Sequence, residues 1–171
     1  MSVVPRYQTS FARIAAAVVD TIVLIPLGLL DETLLSPSRP PWVVIVWASI
    51  TYSSYWIYST LLHARYGQTV GKRLLRIKVL DVQELRIPTL KQALLRDVGL
   101  IGFNILALTY LIYLVLIGEY SPGAEITNVP GQILAYASLG WFALEIMSMF
   151  ANSKRRAVHD YIARTVVVSD A

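Results

Sequence analysis

Four polar residues lie inside long, mainly apolar stretches at similar depth: Asp20, Ser54, Asn104 and Glu145. An ionised carboxylate in the middle of a lipid-embedded helix opposes insertion by about 2.5–3.5 kcal/mol, so it needs a partner, a proton or a cation. Counted from the ends that adjoin basic segments, Asp20 is seven residues from Arg13, Glu145 six from Ala151, Asn104 six from Val98 and Ser54 eight from Leu62. At 1.5 Å rise per residue, these offsets put all four within about 9–12 Å of one boundary. Two carboxylates in one layer of low dielectric resist being ionised together. Asp20, Glu145 and Asn104, with Ser54, are therefore expected to form a site that exchanges a proton for a monovalent cation. The competing expectation is an Asp20–Glu145 pair that shares a proton and only holds helices together.

Arg13 and Asp160 carry a second expectation. Arg13 and Asp20 share a helix face, but about 10 Å of rise separates them, so direct contact is not expected. Arg13 also begins a helix, where the macrodipole disfavours a cation. Asp160 follows Ala151 by nine residues, on the same side of the membrane. A salt bridge between them would tie the tail to the first helix. Reversing either charge is then expected to lose folded protein, and reversing both to restore part of it.

Other features have plainer readings. Lys154, Arg155 and Arg156 read as a topology determinant and a contact for anionic lipid headgroups, worth about 1 kcal/mol per charge. His63 and His159 read as polar interfacial residues, because only Asp160 adjoins either of them in sequence, so no metal is expected. Gly67-x-x-x-Gly71 lies in a polar connection, where close packing is not the expected role. That stretch also lacks the second half of a phosphate-binding loop. With no nucleophile elbow, HExxH or paired-acid motif, neither catalysis nor a cofactor is expected.

These residues are held by four apolar spans, at roughly 13–30, 42–62, 98–118 and 131–151. Ser10 is placed to cap the first, and Pro26 has no N–H for the Ile22 carbonyl, so a bend is expected there. The second carries Thr51, Tyr52, Ser53, Ser54 and Tyr55, a hydroxyl-rich face expected to turn towards other helices. Residues 63–97 form a hydrophilic connection, with a helical piece at Gly71–Leu75 and a strand-like alternation at Arg76–Leu80. Thr89 and Gln92 fit a capping box that starts an amphipathic helix along the membrane surface. The tail, 152–171, ends in the β-branched run Thr165–Val168, which is expected to pair with Arg76–Leu80 as a small sheet.

Composition agrees with a membrane protein. Of 171 residues, 56% are hydrophobic and only 15% charged, against roughly 25% charged in soluble domains. The absence of cysteine excludes disulfides, iron–sulfur clusters and thiolate zinc sites. The net charge of +4 does not indicate nucleic acid, because the basic residues flank apolar runs. Asp20 interrupts the first apolar run, so no cleavable signal is expected. Lys and Arg number eight in 63–97 and four from 152 onward, against one in 31–41 and none in 119–130. That bias places both termini and the long connection in the cytoplasm. The fold class expected is a single all-α integral membrane domain of four transmembrane helices, with a cytoplasmic interfacial helix and a small cytoplasmic β pair.

Arg13 and Asp20 in FARIAAAVVD, and Asp160 in KRRAVHDYIARTVVV, resemble the signature of the RDD family of small bacterial membrane proteins. The segment Tyr66–Asp81 (YGQTVGKRLLRIKVLD) is similar to the family's segment after its second span. Two departures stand out. Arg164 occupies a position where the family tends to have glycine, and Val82–Arg86 (VQELR) replaces a glycine turn. The resemblance implies a bacterial inner-membrane location and a transport role, here expected as a small transporter or ion-translocating subunit working as a homo-oligomer. The alternative is an accessory or scaffold protein whose buried charges only fix helix packing.

Overall fold

The structure, a computed structural model, describes residues 6–170, and only the backbone of 124–125. Residues 1–5 and 171, the extremities of the expected lead and tail, lie outside the described residues. The chain is mostly helical: α1 (Ser10–Gly28), α2 (Asp31–Leu34), α3 (Pro41–Tyr66), α4 (Val70–Leu74), β1 (Ile77–Asp81), α5 (Leu90–Arg96), α6 (Val98–Leu116), α7 (Ala124–Thr127), α8 (Val129–Phe150), α9 (Val158–Ala163) and β2 (Thr165–Ser169).

Three helices, α1, α6 and α8, are long and apolar enough to cross a membrane. The 26-residue α3 is longer, but the hydroxyls between Thr51 and Tyr55 dilute its apolar run. The long helices leave large apolar side chains uncovered, among them Val18 and Ile22 on α1, Leu106 on α6 and Leu139 on α8. Such surface is costly in water and is what lipid solvates. The chain is a membrane protein.

Two compact units emerge. One contains the chain up to Val23, Ile57–Val98 and everything from Phe142 onward; the other contains Leu24–Trp56 and Gly99–Trp141. The second unit packs Val44 and Ala48 of α3 against Leu111 and Val115 of α6. Its loops are tied by Trp47 Nε1 donating to Asp31 at 2.7 Å and by the Tyr120 hydroxyl donating to the Leu35 carbonyl at 2.9 Å.

The first unit is built on the small sheet. β1 and β2 run antiparallel, with Val79 opposite Val167 and Asp81 opposite Thr165. Ile77, Val79 and Val167 form its apolar core with Ala16 of α1. The expected strand began at Arg76, but Arg76 has φ +51°, which no strand residue adopts, so pairing starts one residue later. The capping box on α5 is present: Gln92 N–H donates to Thr89 Oγ1 at 3.3 Å, and Thr89 N–H to Gln92 Oε1 at 3.0 Å. α5 buries Ala93 and Arg96 and leaves Leu90 and Leu94 exposed.

Ser10 does not cap α1. It is the first helical residue itself, and its Oγ is buried without a hydrogen-bond partner among the described residues. The glycines of the 63–97 connection also depart from expectation. A Cβ on Gly71 would lie 2.1 Å from the Ala16 carbonyl oxygen, so α4 meets α1 only because Gly71 has no side chain. Gly67 takes φ +71°, and its carbonyl accepts from Val79 N–H at 2.8 Å.

Candidate functional site

On α1, Arg13, Ala16 and Asp20 are buried together, at spacings of three and four that define one helix face. That face presents Arg13 to α9. The guanidinium Nη2 lies 2.7 Å from Asp160 Oδ2, with the two side chains 7% and 0% exposed. The ion pair expected between these residues is present. A second cation joins it: Arg96, at the end of α5, donates from Nη1 to Asp160 Oδ1, and also to Thr165 Oγ1 at 2.9 Å. The backbone N–H of Ala157 completes the set, donating to Asp160 Oδ2 at 2.9 Å. Ala157 has no side chain able to cap α9, so Asp160 does so from within the helix. Burial alone would raise the Asp160 carboxyl, but the two guanidiniums hold it far below the usual carboxylate range.

His159 bridges this cluster to α8. Arg13 and Arg96 each donate from Nη2 to His159 Nε2 at 3.1 Å. Arginine offers only donors, so Nε2 must accept, and the proton belongs on Nδ1. There it meets Glu145 Oε2 at 2.7 Å. The backbone N–H of His159 also reaches Glu145, at 3.2 and 3.3 Å to its two oxygens. Burial and the adjacent guanidiniums push the imidazole below its usual range, against the pull of Asp160 and Glu145. The neutral ring is therefore a passive link between two guanidiniums and one carboxylate.

Asp20 sits in its own pocket, fully buried. Its Oδ1 accepts from the Tyr58 hydroxyl at 2.7 Å and from Gly71 N–H at 2.7 Å, and its Oδ2 accepts from Thr69 Oγ1 at 2.6 Å. Thr69 is the N-cap of α4, so one carboxylate fastens α1 to α3 and to the start of α4. Three donors leave this aspartate well satisfied without an ion.

A third polar group lies between α3 and the α5–α6 junction. Asp97 accepts from Ser59 Oγ at 3.2 Å and Thr60 Oγ1 at 2.8 Å, while Ser59 Oγ also lies 3.1 Å from His63 Nδ1. The single Ser59 proton goes to Asp97, so His63 donates from Nδ1 and keeps a lone pair on Nε2. That Nε2 is buried and has no hydrogen-bond partner among the described residues.

Asp20 and Glu145, expected to share one layer, take separate partners. Among the described residues no hydrogen bond links the two carboxylates: Asp20 is taken up by Tyr58, Thr69 and Gly71, and Glu145 by His159. Ser54 and Asn104 belong to the other unit, and Ser54 spends its hydroxyl on the Thr51 carbonyl of its own helix at 2.8 Å. The expected headgroup triplet also divides. Lys154 pairs with Glu84 at 3.2 Å. Arg156 turns inward, donating to the carbonyls of Thr165 and Asp160 at 3.0 and 2.9 Å, and its guanidinium lies 4.0 Å from the centroid of the Tyr161 ring. Of the three, only Arg155 lines an open cavity.

Arg96, His159, Thr69 and Tyr58 were not legible as site residues. For Arg96 a signal existed, since it lies three residues after Ala93 on the face that α5 buries. A model of the RDD family matches residues 7–164. No curated protein and no solved structure matches the chain.

Proposed function

The chain belongs to the RDD family, and on that premise we propose a non-catalytic inner-membrane protein whose buried charges lock its cytoplasmic face. In this reading α1, α3, α6 and α8 all cross the bilayer. Both termini and the 63–97 connection lie on the cytoplasmic side, following the distribution of Lys and Arg. One observation carries the lock: Asp20 and Asp160, both fully buried, are saturated by protein donors. Such a centre serves as an accessory or scaffold module, holding a rigid face towards a membrane partner.

The test is flux in vesicles reconstituted with the purified chain, with and without a pH gradient. The lock predicts no cation or proton flux above protein-free vesicles, and loss of folded protein in Asp20→Asn. Flux in the wild type that Asp20→Asn removes while the fold survives would overturn it.

A second reading, proton translocation, has two observations in its favour. Among the described residues, His63 Nε2 is a buried acceptor without a donor, and Lys72 makes no hydrogen bond with its side chain. Burial, then the neighbouring Arg96, pushes the Lys72 amine down to about 8. A proton-driven flux abolished by Lys72→Met with the fold intact would select this reading.

A further inference from the structure

We propose that the cavity between the start of α1 and the α8–α9 loop seats the headgroup of an anionic phospholipid. The cavity holds about 400 Å³ and is lined by Tyr7, Gln8, Phe150, Asn152, Ser153 and Arg155. It opens where the apolar run of α8 ends, at Phe150. Beside it Phe11, 79% exposed, meets Phe150 edge to face with ring centroids 6.0 Å apart. An uncovered aromatic pair at the end of a span-length helix is where acyl chains give way to headgroups.

The charge fits a phosphodiester. Arg6 and Lys154 both pair with Glu84, at 2.8 and 3.2 Å. Arg155 meets no carboxylate among the described residues. Its Nη1 reaches the Phe150 carbonyl at 3.3 Å, and its guanidinium lies 5.7 Å from the centroid of the Phe150 ring. Its remaining donors match the bidentate geometry of a phosphate. The side chains of Gln8 and Ser153 make no hydrogen bond among the described residues and suit a hydroxylated headgroup.

The loop that offers Arg155 is built in advance. Arg155 takes φ +51°, and Arg13 Nη1 donates to its carbonyl at 2.8 Å. Asn152 brackets Arg156, accepting from its N–H at 2.8 Å and donating to its carbonyl at 2.7 Å. The guanidinium that meets Asp160 thus also shapes the headgroup seat. The inference rests on α8 ending at a bilayer surface, and not on whether the chain transports.

The experiment is thermal unfolding of the purified full chain in neutral detergent, titrated with phosphatidylglycerol, phosphatidylcholine or inorganic phosphate. Phosphatidylglycerol alone should raise Tm in a saturable way. Arg155→Ala should weaken that response by roughly tenfold, and Ser153→Leu should weaken it by filling the cavity. An equal response to phosphatidylcholine, an undiminished response in Arg155→Ala and Ser153→Leu, or full reproduction of the shift by inorganic phosphate would each overturn the proposal. If Arg155→Ala does not fold, Ser153→Leu decides.

Discussion

Arg13 meets Asp160 at 2.7 Å, but Asp160 is shared, because Arg96 holds its other oxygen. Removing one member of a buried ion pair leaves an uncompensated charge, at a cost of about 3–5 kcal/mol. Asp160→Asn strands two guanidiniums and should lose more folded protein than Arg13→Met, which leaves Arg96 to neutralise the carboxylate. Fluorescence-detected size exclusion would rank the two. The rescue expected from reversing both Arg13 and Asp160 should fail, since an arginine at 160 would face Arg96.

Gly71→Ala should be severely destabilising, because its Cβ would fall 2.1 Å from the backbone oxygen of Ala16. The fit cannot be recovered by moving a side chain. Gly102→Ala, on α6, meets nothing within 4 Å and should be neutral or stabilising by up to about 1 kcal/mol through helix propensity. Melting temperatures in detergent separate these outcomes.

Arg164→Gly should stabilise the fold by about 1 kcal/mol. Arg164 is the C-cap of α9 with φ 54° and ψ 53°, a left-handed conformation costly for any side chain. The turn is thus made here under strain. Glu84 also has a positive φ, 62°, within the other departure, Val82–Arg86. Its side chain, however, bonds Tyr7 at 2.6 Å and pairs with Arg6 and Lys154. Glu84→Gly should therefore gain backbone ease and still lose stability, as unfolding of both variants would show.

Stability should depend on pH at both ends of the range. The Tyr7 hydroxyl, Lys154 and Arg6 hold the Glu84 carboxyl below its usual range despite partial burial. The folded state therefore binds this proton less readily than the unfolded chain. The resulting stability is present above the ordinary glutamate value and is lost as pH falls through the lower folded value. Lys72 behaves conversely. With its folded value near 8 against an ordinary 10.5, the unfolded chain keeps its proton longer, so stability should rise across that window. Glu84→Gln should flatten the acid limb and Lys72→Met the alkaline one, read by Tm against pH.

Features set by local chemistry were legible along the chain. Apolar runs long enough to span a bilayer, the Thr89–Gln92 capping box and the β-branched Thr165–Val168 arise from chain stiffness, backbone hydrogen bonding and hydration, each readable within a few residues. The Arg13–Asp160 pair was legible too, because a cation at a helix N-terminus calls for an anion and Asp160, nine residues past the fourth apolar run, was expected on the same side. Which carboxylate each cation and hydroxyl takes was settled only by the packing of separate elements. Depth along a span suggested that Asp20 and Glu145 would meet, but depth is a single coordinate. Helix rotation and the approach of α4, permitted by the missing side chain of Gly71, gave Asp20 to Tyr58 and Thr69. The fold of α9 over α8 gave Glu145 to His159. Residues such as Arg96 acquire their role only when separate helices converge, and no spacing along one helix encodes that convergence.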